Sequence, residues 1–271
     1  MSTKRKLKTV EFISINPVFS LDEATLMLDV RRGRTGTVER LKHYLRTQRL
    51  ILVTRGVYAV VPLGIEAANF QPDPFLVALA VRKDAVFSHH SALELLGAAH
   101  SAWNRYTLYC VQRRRPLALK SSSIHFMNDP DSFATAKLRF LGTRKVERRG
   151  RLLTVTGPER TLVDGFRRPA LCGGVEELIQ SSSGFPVLDL DVLIKTLRCY
   201  DIANLWAATG WFLEKFRQGF HVQDAVLMQI EKHRPRSPQY LERDRRGGVL
   251  APRWNLILPE AIVKRNDSNE P

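Results

Sequence analysis

The chain has 271 residues, of which 44% are hydrophobic and 25% charged, a composition that fits one or two globular domains. No apolar run approaches the roughly 20 residues that cross a bilayer, and the net charge of +15 selects an acidic partner, nucleic acid before a membrane surface. Cys110, Cys172 and Cys199 are scattered without CxxC spacing, which excludes a disulfide framework or zinc site and, with a start that lacks a secretory apolar core, makes the cytoplasm the expected location.

Lys4-Arg5-Lys6 and Lys8 open the chain as a basic arm suited to phosphates. Val10–Ile15 is short and β-branched and gives little support for a helix before Phe19. Ser20 and Glu23 form a capping-box pattern ahead of Leu21, Ala24, Leu26 and Leu28, which predicts a helix. Gly33 and Gly36 then break the chain, and a second helix is expected from about Thr35, with Val38, Leu41, Tyr44 and Leu45 as its buried stripe. Leu50–Val53 and Val57–Val61 flank Thr54-Arg55-Gly56 and read as a hairpin closed by Pro62 and Gly64. Helix, helix and hairpin in this order outline a winged helix-turn-helix.

Charge follows the same outline. Residues 1–64 carry 12 Lys and Arg against 5 Asp and Glu, while the remainder carries 30 against 22. Arg31, Arg32, Arg34 and Thr35 sit where the chain enters the second helix, and Thr37, Arg40 and His43 are expected opposite its apolar stripe. The second helix of such a motif enters the major groove, where Arg pairs with guanine by two hydrogen bonds. Arg55, at the hairpin tip, would reach a phosphate or the minor groove. The candidate DNA-binding set is therefore Lys4, Arg5, Lys6, Arg31, Arg32, Arg34, Thr35, Thr37, Arg40, His43 and Arg55, on double-stranded DNA. A protein-interaction module with a solvated basic face is the bland alternative.

A boundary is expected between Gly64 and Pro74, where Pro72 and Pro74 resist helix. Beyond it the pattern predicts a helix over 75–81 and a second from an N-cap at Ser88 to Leu96, ended by Gly97. Strands are expected at 106–111, 123–127 and 137–141, followed by a hairpin of 144–149 and 151–156. Helices are expected from Pro158 and over 175–181, 190–200, 202–217 and 222–231, then a strand over 254–258. The fold class is α+β: a winged helix-turn-helix over 1–64, an α+β domain over 75–264 with a small sheet then helices, and a disordered tail over 265–271.

No catalytic or metal constellation stands out, and no cofactor is expected. His89-His90 beside Ser91 lies at the start of an apolar helix, where capping is the commoner role. Glu147, Glu159 and Asp164 could be imagined as nuclease carboxylates, yet no Glu-x-Lys follows them, and Asp164 four residues after Arg160 reads as a structural ion pair. A Gly-rich phosphate loop and HExxH are absent. Trp103, Trp206, Trp211 and Trp254 read as core or interface anchors.

Four segments together resemble the AbiEi-type antitoxin family of AbiE toxin–antitoxin systems. They are LVTRGVYAVVP (52–62), DAVFSHHSALELLGAAH (84–100), VTGPERTLVDGFRRPALCGGVEEL (155–178) and RWNLIL (253–258). The resemblance implies a winged helix that represses its own operon by binding the operator. It also implies a second domain that counteracts a nucleotidyltransferase-type toxin; the residues themselves give no enzymatic activity and no membrane attachment as the expectation. Carried onto this chain, the family's DNA contacts fall on Arg31, Arg32, Arg34, Thr35, Thr37, Arg40 and Arg55. A stand-alone winged-helix regulator with a ligand-sensing C-terminal domain is the competing reading, and a DNA-targeted nuclease a third.

Overall fold

The computed structural model describes residues 7–28, 31–135, 137–242 and 247–264. It is a mixed α and β fold with three sheets, in agreement with the expected α+β class. Lys4, Arg5 and Lys6 and the tail over 265–271 lie outside the described residues.

The first elements are α1 (Thr9–Ile15), β1 (Val18–Ser20), α2 (Leu21–Met27), α3 (Gly33–Arg46), β2 (Leu50–Thr54) and β3 (Val57–Val60). Helix α1 forms despite its β-branched residues, because the Glu11 carboxylate accepts the Lys8 N–H at 3.0 Å and Phe12 and Ile13 are buried. The Ser20–Glu23 capping box is present on α2 as the sequence predicts. Gly33 starts α3 with φ of 54°, whereas Gly36 lies inside the helix and breaks nothing. The three strands pair antiparallel in the order β1-β3-β2.

Continuous apolar sequence in β3 has a simple cause: both faces of its strand are covered. Tyr58 joins Phe12, Phe19, Leu41 and Leu50 in a core beneath α1–α3. Val57 and Ala59, with Val18 of β1, pack instead against α4 (Pro74–Val81). Pro74 does not resist this helix; it occupies the first turn, where its missing N–H costs nothing, behind Asp73 as the cap. Across the same junction Arg151 donates to the Asn16 side chain at 2.9 Å and to the Glu23 carboxylate.

Helix α4 leads to β4 (Val86–Phe87), α5 (His90–Leu95), β5 (Arg105–Cys110), β6 (Leu117–Ala118), β7 (Ser123–Asn128), β8 (Thr143–Arg148) and β9 (Arg151–Thr156). These strands form a six-stranded mixed sheet in the order β6-β7-β5-β4-β9-β8, with β4 parallel to β9 and β5 parallel to β7. The expected hairpin of 144–149 and 151–156 is β8–β9. Residues 137–142 form turns instead of the expected strand. Their carbonyls serve a buried cation: Arg160 donates to the carbonyls of Arg139 at 2.7 Å and Leu141 at 3.2 Å.

A helical layer follows, of α6 (Pro158–Arg167), α7 (Val175–Ser183), α8 (Leu190–Tyr200), α9 (Ala203–Lys215) and α10 (Asp224–Glu231). Last come β10 (Gln239–Tyr240), β11 (Val249–Ala251), β12 (Leu256–Leu258) and α11 (Glu260–Lys264). Trp254 belongs to a 3-10 turn before β12 rather than to the strand, because Asn255 turns the chain with φ of 48°. Its ring lies in the helical core, against Gly210 of α9. Trp206, Trp211 and Trp254 are buried as anchors, while Trp103 is half-buried.

Candidate nucleic-acid interface

Helix α3 divides its residues cleanly. Thr37 and Leu41 are buried, with Val38, Tyr44 and Leu45 half-buried beside them, so this stripe faces the core. Outside it, Thr35, Arg40 and His43 are exposed, as are Arg31, Arg32 and Arg34 at the helix entrance. Thr37 is a correction to the expected set: it is 1% exposed, and its hydroxyl donates to the Gly33 carbonyl one turn back at 2.9 Å. A hydroxyl satisfied by its own helix can be buried among apolar neighbours at little cost.

Sequence reasoning missed Lys42 and Arg46 on the same helix, and Arg49 just after it, all exposed. Helical periodicity could have found the first two, since they follow the phase of the apolar stripe on its far side.

Two carboxylates temper this charge. Arg34 pairs with Asp22 of α2, both side chains more than 60% exposed, and Lys42 pairs with Glu39 at 2.7 Å. Such solvated pairs contribute little and leave both groups in water. Among the described residues, Arg31, Arg32, Arg40, Arg46, Arg49 and Arg55 meet no carboxylate within ion-pair distance. Arg32 caps α3 in the left-handed region with φ of 68° and no side-chain cap bond.

Arg55 is exposed at the tip of the β2–β3 turn, where Gly56 supplies a φ of 76°. The Gly56 carbonyl accepts the Leu21 N–H at 2.8 Å, which fixes the tip against the start of α2. Arg55 is thereby tied to the helix that packs against α3.

The histidine and carboxylate positions singled out in the sequence lie in separate contacts. Ser88 is not the cap of α5; its hydroxyl meets His89 Nδ1 at 3.0 Å and its carbonyl accepts the Thr107 hydroxyl. His89 is the cap residue, with φ of 55°, and is fully buried. Ser91 accepts the Thr107 N–H at 2.8 Å. Arg160 and Asp164 lie 3.7 Å apart and wholly buried, with the Tyr200 hydroxyl donating to Asp164 and the Phe133 ring 4.0 Å from the guanidinium. Glu159 accepts the Asp189 N–H and faces Arg144, while Glu147 accepts the Gly150 N–H in the β8–β9 turn. The three carboxylates are thus engaged separately. Among the described residues no three His, Cys, Asp or Glu are grouped to hold a metal ion.

No family model matches the chain, and no curated protein does. Among solved structures it is similar to the crystal structure of the RV2827C protein from Mycobacterium tuberculosis. The TM-score is 0.63 at 16% identity, over 98% of this chain and 97% of the other. Likeness at that identity speaks for a shared fold along nearly the whole of both chains.

Proposed function

We propose that the chain is a DNA-binding regulator in which residues 7–64 act as a winged helix-turn-helix. Helix α3 is the recognition helix, and the β2–β3 hairpin is the wing. The observation that carries this reading is the set of exposed arginines, Arg31, Arg32, Arg40 and Arg55, that meet no carboxylate among the described residues. A cationic face left open in this way has affinity for polyanions built in.

The biological role follows from the resemblance to AbiEi-type antitoxins: repression of its own operon and suppression of a nucleotidyltransferase-type toxin, by residues 75–264. No bond-making chemistry is assigned to it. The test is a reporter driven by the DNA upstream of its own reading frame. Expression of the chain should repress the reporter, Arg32→Ala/Arg40→Ala should relieve that repression, and co-expression should rescue cells from an adjacent nucleotidyltransferase-like gene. A reporter indifferent to the wild-type chain would overturn the regulator reading.

A further inference from the structure

A cleft of about 600 Å³ opens beside the hairpin, within the size range of small-molecule sites. Its walls come from distant parts of the chain. Ile51 and Val53 of β2 form one side; Phe70, the Lys120 turn between β6 and β7, Trp103 and Tyr106, and the β8–β9 turn with Arg148 and Arg149 form the others. Aromatic and aliphatic side chains thus line the opening beside the cations; one face of the Trp103 ring is already stacked on His90, with centroids 5.0 Å apart.

The charge balance in the cleft decides what it can hold. Asp73 is its one acidic lining residue, and that carboxylate is already engaged. One oxygen accepts the Phe75 N–H at 2.9 Å, the other accepts Arg148 Nε at 2.7 Å, and the side chain is 4% exposed. Arg149 stands 3.8 Å from the same carboxylate with its side chain 66% exposed, so its guanidinium retains donors for another group. Lys120 is exposed and gives one N–H to the Ala68 carbonyl, which leaves two. Two available cations beside three aromatic side chains, with no accessible carboxylate among the lining residues, complement one chemistry.

We propose that this cleft binds a planar aromatic ring that carries an anionic group, such as a mononucleotide or an aromatic carboxylate. The ring lies on the apolar wall of Phe70, Trp103 and Tyr106, and the anion is held by Arg149 and Lys120. The cleft shares Ile51 and Val53 with the hairpin, but neither α3 nor Arg55 contributes to its walls, so ligand binding is read separately from DNA binding.

The experiment is titration of the full chain with AMP, salicylate, adenosine and inorganic phosphate at millimolar concentration, followed by tryptophan fluorescence and by thermal unfolding. Trp206, Trp211 and Trp254 are buried, so a ring stacked in the cleft quenches Trp103, and the quench disappears in Trp103→Phe. AMP or salicylate, or both, should bind and raise the unfolding temperature, as any ligand of the folded state does. Which of the two binds distinguishes a phosphate from a carboxylate ligand. Adenosine and phosphate, each lacking one half of the chemistry, should bind at least tenfold more weakly. Lys120→Gln/Arg149→Gln removes both cations without setting a second carboxylate beside Asp73; ligand-free thermal unfolding checks that it folds, and it should weaken binding more than tenfold. Failure of both AMP and salicylate to bind would overturn the proposal. So would affinity unchanged in the double variant, or phosphate alone binding as tightly as the ring-bearing anion.

Discussion

His89 sits in a pocket that opposes its protonation. Burial, then the guanidinium groups of Arg168, Arg167 and Arg160, lower its pKa from 6.5 to about 3. As pH falls the unfolded chain takes up this proton near 6.5 while the folded chain resists until about 3. The stability it contributes is therefore complete above 6.5 and is lost progressively below that, by up to about 1.4 kcal/mol per pH unit. His90 adds to the loss, since burial lowers its pKa as well, against the opposing pull of Glu177. The His89 ring signal in an NMR titration should stay that of a neutral imidazole at pH 5; a transition near 6.5 would contradict its burial.

The Arg160–Asp164 pair is a second residue-scale feature, which in the sequence shows only as an i,i+4 spacing. Burial raises the pKa of Asp164 even though Arg160 and the Tyr200 hydroxyl oppose the shift. Asp164→Leu strands a buried guanidinium, and a loss on the order of 3–5 kcal/mol is expected in chemical denaturation, with Arg160→Met/Asp164→Leu recovering part of it. A loss below about 1 kcal/mol would show the pair to be solvated like a surface one.

At the scale of elements, local signals are legible in the sequence and pairings at a distance are not. The Ser20–Glu23 box and the apolar period of α8 lie within a few residues of sequence, and both helices stand where they are expected. Strand β4 has only two residues, and it exists because Val86 and Phe87 pair with Tyr109 and Leu108 of β5 and with Thr154 and Val155 of β9, the latter nearly seventy positions away. The same distance hides the cleft, whose walls come from separated segments. The exposure of the α3 cations is legible because charge type and helical phase are local properties. Thr37 misleads because a polar residue type suggests exposure, whereas its hydroxyl is satisfied inside its own helix.

Packing between elements gives a prediction that helix propensity alone would reverse. Alanine favours helix over glycine by about 1 kcal/mol. Yet a Cβ at Gly210, inside α9, would overlap the Trp254 ring, which is itself held by a hydrogen bond from its indole N–H to Glu214. Gly210→Ala should therefore destabilise the fold by roughly 1–3 kcal/mol, read as a lower denaturation midpoint. A stabilised variant would mean that Trp254 has room to move.

For the molecule as a whole, the small sheet joins a charged surface to a large core. Val57 and Ala59 tie that sheet to α4 and Arg151 ties α2 to β9, so α3 and the hairpin tip are presented on a fixed body. Under the proposed DNA-binding reading, this body holds the surface on phosphates while bases are read. The exposed arginines around α3 and Arg55 carry the account, and the salt dependence of DNA affinity reads their role directly. Log K for a duplex from upstream of the reading frame should fall linearly with log salt. Arg31→Ala/Arg32→Ala/Arg55→Ala should flatten the slope by about 2–3, near 0.9 for each phosphate no longer neutralised. A variant with wild-type affinity and wild-type slope would contradict the assignment of this face to DNA.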